Sequence, residues 1–246
     1  MRTIVDRQQA PASFGLAVDE VLLNSSVGEH GVTVRLWIGG PAVVVGRSQR
    51  VADEVDEDAA RSLGLVVVRR ISGGGTVLHY EGNLNVSVVL CEGCTLGGVA
   101  ATFVRIGTAI AGGLAVAFDV SIEAIGNRLQ VGQAKLGGAA QARRRGAVLY
   151  HSTLMLSSCP AEQIAVLRAH HTNYNPRNVR SQASPMTSLS DVVGHSVRFD
   201  EASVAVLDGL QTLFDDRRRD EALQDNERLQ ASVLAEHKYK DPLWTR

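Results

Sequence analysis

The chain has 246 residues, 45% hydrophobic and 21% charged, with 25 Lys and Arg against 26 Asp and Glu. That supplies apolar material for one large domain or two small ones and excludes a disordered chain. A net charge of −1 gives no bulk attraction to nucleic acid or to an anionic membrane, so neither is an expected partner.

Aromatic residues make up 4% of the chain, so the core reads as aliphatic and β-branched, which favours sheets covered by helices. No run reaches the ~18 consecutive apolar residues of a membrane helix, and the opening MRTIVDRQQA lacks the apolar core of a secretory signal. Cys91, Cys94 and Cys159 are an odd number and do not read as a disulfide framework. This fits a reducing compartment and a cytoplasmic protein.

Residues 12–24 place Phe14, Ala17, Val18, Val21 and Leu22 at helical spacing and predict an amphipathic helix ending before Gly28. The alternating VTVRLWI at 32–38 and the run AVVVG after Gly39-Gly40-Pro41 predict two strands paired as a hairpin. Residues 51–63, acidic at the front and stopped by Gly64, predict a helix. LVVVRR follows as a short buried strand and LNVSVVL at 84–90 as another. A helix is expected over 99–118 with a weak spot at Gly112-Gly113, then a long strand at 147–156 and helices at 160–170, 200–214 and 226–236. Hairpin groups of strands separated by helices indicate an α+β fold with a mixed sheet. The loop-rich segment 171–198, containing Asn175-Pro176 and Ser184-Pro185, is where a lid or a subdomain boundary is expected. No linker divides the chain, so residues 1–246 read as a single domain.

The most informative stretch is RRISGGGTVLHYEGNLN at 69–85. Three successive residues without Cβ let backbone N–H groups approach phosphate or carboxylate oxygens. Arg69 and Arg70 alternate across the preceding strand, so one can aim its planar fork at such an anion. The loop is not a Walker loop, because no Gly-Lys-[Ser/Thr] follows, and no Rossmann helix opens after it. A plain hairpin turn with surface salt bridges for the arginines is the alternative reading.

This stretch resembles the signature of the lipoate-protein ligase A and octanoyltransferase family, relatives of the biotin-protein ligases. Three further blocks occur in matching order: PAVVVGRSQ at 41–49, GNRLQVGQAKLGGAAQ at 126–141 and AVLYHSTLML at 147–156. Weaker echoes are RNVRSQASPMTSLSDVV at 177–193 and the closing KYKDPLWTR. The resemblance runs from about residue 12 to 246. It implies a biotin/lipoate protein ligase-like catalytic domain with a central mixed, largely antiparallel sheet flanked by helices. A bent pocket would hold a lipoyl or octanoyl chain and an adenylate.

On that resemblance Lys135 is the catalytic residue, contacting the acyl carboxylate and the phosphate during activation and then the acyl-adenylate during transfer; an exposed loop lysine is the plain alternative. Arg70, Gly75, Thr76, Val77, Leu78, Asn127 and Lys135 are implied around the nucleotide. Arg69, Ser72, Gly73, Gly74, His79, Asn83, Gly137, Ala139, His151 and Thr153 are implied around lipoate. Read from the residues alone, His151 is equally a hydrogen-bonded core histidine. The family's Asn-Asp pair is Asn127-Arg128 here. That departure leaves open which residue would hold the expected Mg2+, and Arg128 could contact a phosphate directly. The run Arg143-Arg144-Arg145 reads as solvated, with docking of an acidic acceptor domain as the second reading.

The resemblance implies a ligase that uses ATP and lipoate as substrates, forms lipoyl-AMP and modifies a lysine of a lipoyl-acceptor protein. The alternative is an octanoyl or lipoyl transferase acting through a cysteine thioester, for which Cys159 is the candidate nucleophile. A non-catalytic lipoate- or adenylate-binding subunit is the reading from another class. Cys91-x-x-Cys94 lacks the second pair that zinc needs, and a redox pair has no support in the surrounding pattern. The blocks leave no room for an appended accessory domain of roughly one hundred residues, so either such a domain is encoded separately or the enzyme does without it.

Overall fold

The computed structural model describes residues 1–26, 31–91, 93–94 and 96–246. In chain order these form β1 (Arg2–Ala10), α1 (Ala12–Ser25), β2 (Val32–Gly39), β3 (Ala42–Val45), α2 (Val51–Glu54), α3 (Glu57–Ser62), β4 (Val66–Arg69), β5 (Val77–His79) and β6 (Asn83–Leu90). There follow α4 (Val99–Phe118), β7 (Glu123–Ile125), β8 (Arg128–Val131), β9 (Ala134–Arg144), β10 (Ala147–Met155), α5 (Ala161–Ile164), α6 (Leu189–Val193), α7 (Phe199–Phe214), β11 (Arg219–Asp220), α8 (Asp225–Leu234) and α9 (Pro242–Thr245).

The large sheet has the order β11-β1-β2-β6-β10-β9-β8-β7, with β1 parallel to β2 and β11 and every other neighbour antiparallel. A three-stranded sheet, β4-β3-β5, stands beside it. All eight residues of β6 are buried, because β6 lies in the middle with helices on both faces. Val34, Leu36, Val86, Val88, Val148 and Tyr150 face α4 and α7. Val89, Ala147 and Leu149 face α1, α8 and the small sheet. The period-2 alternation of β2, β6 and β10 therefore separates an apolar core face from a second face. That second face carries the site.

Several expected elements change form. β2 and β3 do not pair as a hairpin: the edges of β2 are taken by β1 and β6, those of β3 by β4 and β5, and Gly39-Gly40-Pro41 carries the chain between sheets. β1 was not anticipated, since its exposed half, Arg7 to Gln9, hides the strand pattern. The 51–63 helix breaks at Val55, which bridges to Leu167, and Asp56 restarts it by accepting from the Ala59 N–H at 3.0 Å. The same bridge cuts the 160–170 helix down to α5 and a 3₁₀ turn, Arg168–His170. Gly137 to Ala140 lie within β9.

The helix predicted to end at Gly28 stops as α1 at Ser25, and Gly28 itself lies outside the described residues. Cys91 and Cys94 form a disulfide, contrary to the expectation from cysteine number, because the Cys94 N–H donates to Cys91 O at 3.1 Å and their Cα atoms lie 5.3 Å apart. Cysteine usage therefore gives no support to a reducing compartment. α4 is long and apolar enough to cross a membrane by length and composition. In this fold Ile106, Ile110 and Leu114 place one of its faces in the core with α7.

Candidate active site

Two rows of side chains cross the second face of the large sheet. Register pairs Arg35 with Ser87, Ser87 with His151 and His151 with Ala140. One pleat further, Trp37 pairs with Asn85, Asn85 with Thr153, Thr153 with Gly138 and Gly138 with Arg128. With Asp19 of α1, Val44 and the Gly75–Val77 segment, these rows, Arg35 apart, line a cavity of about 150 Å³. A second chamber of about 80 Å³ is lined by Leu78, Tyr80, Asn83, Met155, Cys159, Ile164, Leu167 and Met186. Thr76, Val77, Lys135, Gly138, Thr153, Ser181 and Gln182 border both. The site is a pair of adjoining chambers with Lys135 at the bend, the junction that the two share.

Lys135 enters through β9, where its backbone N–H donates to Pro185 O at 2.8 Å and its carbonyl accepts from Thr187 N–H at 3.0 Å. Among the described residues its ammonium makes no salt bridge and no hydrogen bond. Burial holds its pKa below the ordinary lysine value, and the nearby charges of Arg128 and Arg70 lower it further. A desolvated, unneutralised cation at the bend is an electrostatic receptor for an anion.

The two arginines of the glycine loop diverge. Arg70 is buried and stitches the loop shut: Nη2 donates to the carbonyls of Gly73 at 2.6 Å and Gly75 at 2.7 Å, Nη1 to Val44 O and Nε to Ser72 Oγ at 3.0 Å. Burial brings its pKa down to about 10. It lines the larger chamber. Arg69 lines neither chamber. Its guanidinium donates to the carbonyls of Gly46, Arg47 and Gln49 and to those of Trp244, Thr245 and Arg246, while Trp244 Nε1 donates back to Arg69 O. Its role here is to fasten α9 to the small sheet. Ser72, Gly73 and Gly74 shape the loop without lining a chamber. Gly74 has φ +87°, and a Cβ at Gly46 would sit 2.1 Å from Gly74 O, so two glycines allow this crossing.

His151 is held from both sides. Asp19 Oδ2 lies 3.1 Å from Nδ1 and Ser72 Oγ lies 2.6 Å from Nε2. A carboxylate accepts, so Nδ1 carries the proton and Nε2 takes the Ser72 hydroxyl hydrogen. Asp19 is fixed in turn by Arg35 Nη1 at 3.3 Å and Ser87 Oγ at 2.7 Å. Asp19, Arg35, Trp37, Asn85 and Ser87 were missed by sequence reasoning. The signal available was polar residues at alternate positions of an otherwise apolar strand, Asn85 and Ser87, and an acid inside an apolar helix.

His79 stands edge-on to Trp37 and is kept neutral, its pKa lowered to about 3 by burial first and by the nearby charge of Arg70. Thr153 Oγ1 donates to Asn85 Oδ1 at 3.0 Å. Asn83 and Gly137 line the smaller chamber, and Ala139 the larger. Asn127 lines the larger chamber at its open edge, its Nδ2 donating to Ala139 O at 3.1 Å. The 171–187 part of the loop-rich segment closes over the bend. Ser181 Oγ takes the Thr76 N–H at 2.8 Å and Arg128 Nη2 donates to Gln182 Oε1 at 3.0 Å.

The donor set for a divalent ion does not fit. Among the described residues no three His, Cys, Asp or Glu side chains are grouped to hold a metal. The acids lining the chambers, Asp19 and Glu54, are already engaged, Glu54 by Tyr174 OH at 2.6 Å, Ser181 Oγ at 2.5 Å and Thr76 Oγ1 at 3.3 Å. Cys159 borders the smaller chamber, with its thiol pKa pushed up to about 11 by burial and by Glu162. Arg143, Arg144 and Arg145 are all exposed, as the solvated reading expects, with Arg144 also reaching Asn24 Oδ1 at 2.6 Å and Arg145 at the β9–β10 turn.

Residues 11–211 match the family model described as the lipoyl protein ligase A/B catalytic domain. The chain belongs to this family. Within the family it is 27% identical to lipoate–protein ligase 1 of Staphylococcus aureus, over 99% of this chain and 73% of that protein. It is 28% identical to octanoyltransferase LipM of Symbiobacterium thermophilum, over 98% of this chain and 96% of that one. Ligase and transferase relatives thus stand at similar distance. A solved lipoate-protein ligase A bound with ATP superposes with a TM-score of 0.85 at 24% identity, covering 100% of this chain and 98% of its own. A Thermoplasma acidophilum structure, described as a bi-partite lipoate protein ligase and its E2 lipoyl domain, gives 0.86 at 24% identity and covers 100% and 96%. The lipoyl protein ligase fold is therefore shared along the whole chain.

Proposed function

We propose that this family member is an ATP-dependent lipoate-protein ligase. The observation that carries the reading is Lys135, an unpaired, desolvated ammonium at the meeting point of two chambers. Activation joins a carboxylate to the α-phosphate of ATP. A carboxylate oxygen attacks phosphorus, the bond to the β-phosphoryl group breaks, and pyrophosphate leaves with the electron pair. Both reactants are anions, so a cation between them lowers their repulsion and favours the near-attack arrangement. In the second step the neutral ε-amine of an acceptor lysine attacks the acyl carbon, the bond to the phosphate oxygen breaks, AMP departs, and the amine proton passes to solvent.

The larger chamber takes the acyl group, running from Lys135 past Thr153 and His151 towards Leu16, Trp37 and Val44. The smaller takes the adenine, whose apolar faces suit Leu78, Tyr80, Met155 and Ile164 and whose edge can accept from Asn83 Nδ2, a buried donor without a partner among the described residues. The partner is a lipoyl-acceptor domain, and the bi-partite relative supports a separate accessory subunit as a further partner. Thioester transfer through Cys159 is disfavoured, because a thiol with a pKa of about 11 beside a carboxylate is rarely a thiolate.

The test is pyrophosphate exchange dependent on both lipoate and ATP, followed by the mass gain of an acceptor domain. Lys135→Ala is expected to lower exchange by about 10²–10³-fold, the usual cost of removing one oxyanion-type donor. Modification only from an octanoyl-carrier thioester, and never from free lipoate with ATP, would overturn the proposal.

A further inference from the structure

We propose that Arg128 neutralises the adenylate phosphate in this protein, so that the acyl-adenylate is bound and consumed with no divalent ion held by the chain. This rests on the adenylate reading above.

Four cations line the larger chamber without matching anions: Lys135, Arg128, Arg180 and Arg70, the last spending its donors on backbone carbonyls and Ser72. Arg128 spends one N–H on the neutral amide of Gln182. Arg180 lies over the Tyr174 ring at 5.2 Å and donates to Tyr174 O at 3.4 Å. None of the four forms a salt bridge among the described residues. The two carboxylates of the chambers are spoken for: Asp19 by Arg35, Ser87 and His151, and Glu54 by Tyr174, Ser181 and Thr76. Mg2+ is normally held through one or two carboxylates together with substrate phosphates. Here it would meet several positive charges and no free acid.

The placement of Arg128 fits the alternative. Register sets it opposite Gly138, and a Cβ at Gly138 would lie 2.9 Å from Lys135 Nζ. Arg128 and Lys135 therefore flank one glycine and approach the bend from neighbouring strands. A guanidinium presents two parallel N–H bonds in a planar fork to two phosphate oxygens, a geometry that an ammonium lacks. During transfer the acyl C–O bond breaks and its electron pair stays on AMP, so the phosphate group goes from one negative charge towards two. A fixed pair of cations stabilises that gain at the point where it develops.

The test uses the full chain, AMP as the binding probe and synthetic lipoyl-AMP as the acyl donor, each with magnesium and with excess EDTA. The wild type is expected to bind AMP and to transfer the lipoyl group equally well in both conditions. Arg128→Gln should bind AMP roughly 10- to 100-fold more weakly in both, the loss of a charge-assisted pair, and Arg128→Lys should fall between. Arg145→Gln, an equal charge change at the β9–β10 turn, should bind as the wild type. The proposal is overturned if EDTA abolishes binding or transfer in the wild type, or if Arg128→Gln retains full affinity. Failure of the adenylate reading looks different, since AMP then binds no form of the protein under either condition.

Discussion

A Cβ on Gly138 would lie 2.9 Å from both Cε and Nζ of Lys135. The lysine side chain lies across the glycine, and the absence of a side chain there leaves it in contact with both chambers. Gly138→Ala pushes against the flexible end of Lys135, so the fold should tolerate it while the ammonium moves off the bend. A displacement of about an ångström at a reacting group costs on the order of 10²-fold in rate. Pyrophosphate exchange should fall by about that factor with an unchanged Tm. An exchange rate equal to that of the wild type would show that Lys135 is not held against Gly138.

The alkaline limb of activation should report Lys135. Burial and the charges of Arg128 and Arg70 lower its pKa, so the free protein loses this cation at a lower pH than the ordinary lysine value of 10.5. The sign follows directly: the lysine is charged below its lowered pKa, and activation falls as pH rises through it. Pyrophosphate exchange needs no acceptor amine, so its kcat/KM isolates this group in the free enzyme. Lys135→Arg, which keeps its charge throughout, should move the alkaline fall upward even if the rate drops. A limb that stays in place in Lys135→Arg would assign it to another group.

Cys159 separates the two chemistries of the family. Its thiol has a pKa of about 11, raised by burial and by the negative charge of Glu162, and no cation among the described residues is placed to draw out the thiolate. Cys159→Ser should keep most of the lipoate- and ATP-dependent activity, and intact-mass spectrometry should find no acyl-enzyme. An acyl adduct that disappears in Cys159→Ser would put the nucleophile back on this residue.

The glycine loop was legible in the sequence because small residues in a row are a local pattern, whereas Lys135 was singled out by the family resemblance and read from its neighbours alone as an exposed loop lysine. Arg69 and Arg70 show where local reading stops. Alternation predicts that the two point to opposite sides, and they do, but only tertiary structure reveals that both sides are buried and that Arg69 meets the carbonyls of residues 244–246. The Asp19, Arg35, Ser87 and His151 network was illegible for a related reason. Its members come from α1, β2, β6 and β10, and only strand register brings them into one row. The β2–β3 hairpin failed because hydrophobic alternation identifies a strand and not its partner.

Gly112 and Gly113 of α4 read alike in the sequence, as a weak spot in a helix, and the structure gives them opposite roles. Nothing lies within 4 Å of a Cβ built on Gly112, which is exposed. A Cβ on Gly113 would sit 2.0 Å from Ala205 O and 3.0 Å from Gly209 N, both backbone atoms of α7. Gly209 reciprocates, its Cβ position lying 2.0 Å from Ala109 O. The two helices thus cross backbone to backbone through a pair of glycines. Gly112→Ala should stabilise the protein by about 0.5–1 kcal/mol, the helix-propensity gain of alanine over glycine. Gly113→Ala gains the same propensity but must force two packed helices apart, which costs about 1–3 kcal/mol or more, so the net effect is destabilising. Urea unfolding of the two variants beside the wild type should move the midpoint in opposite directions. A shared direction would mean that the α4–α7 crossing is looser than these distances require.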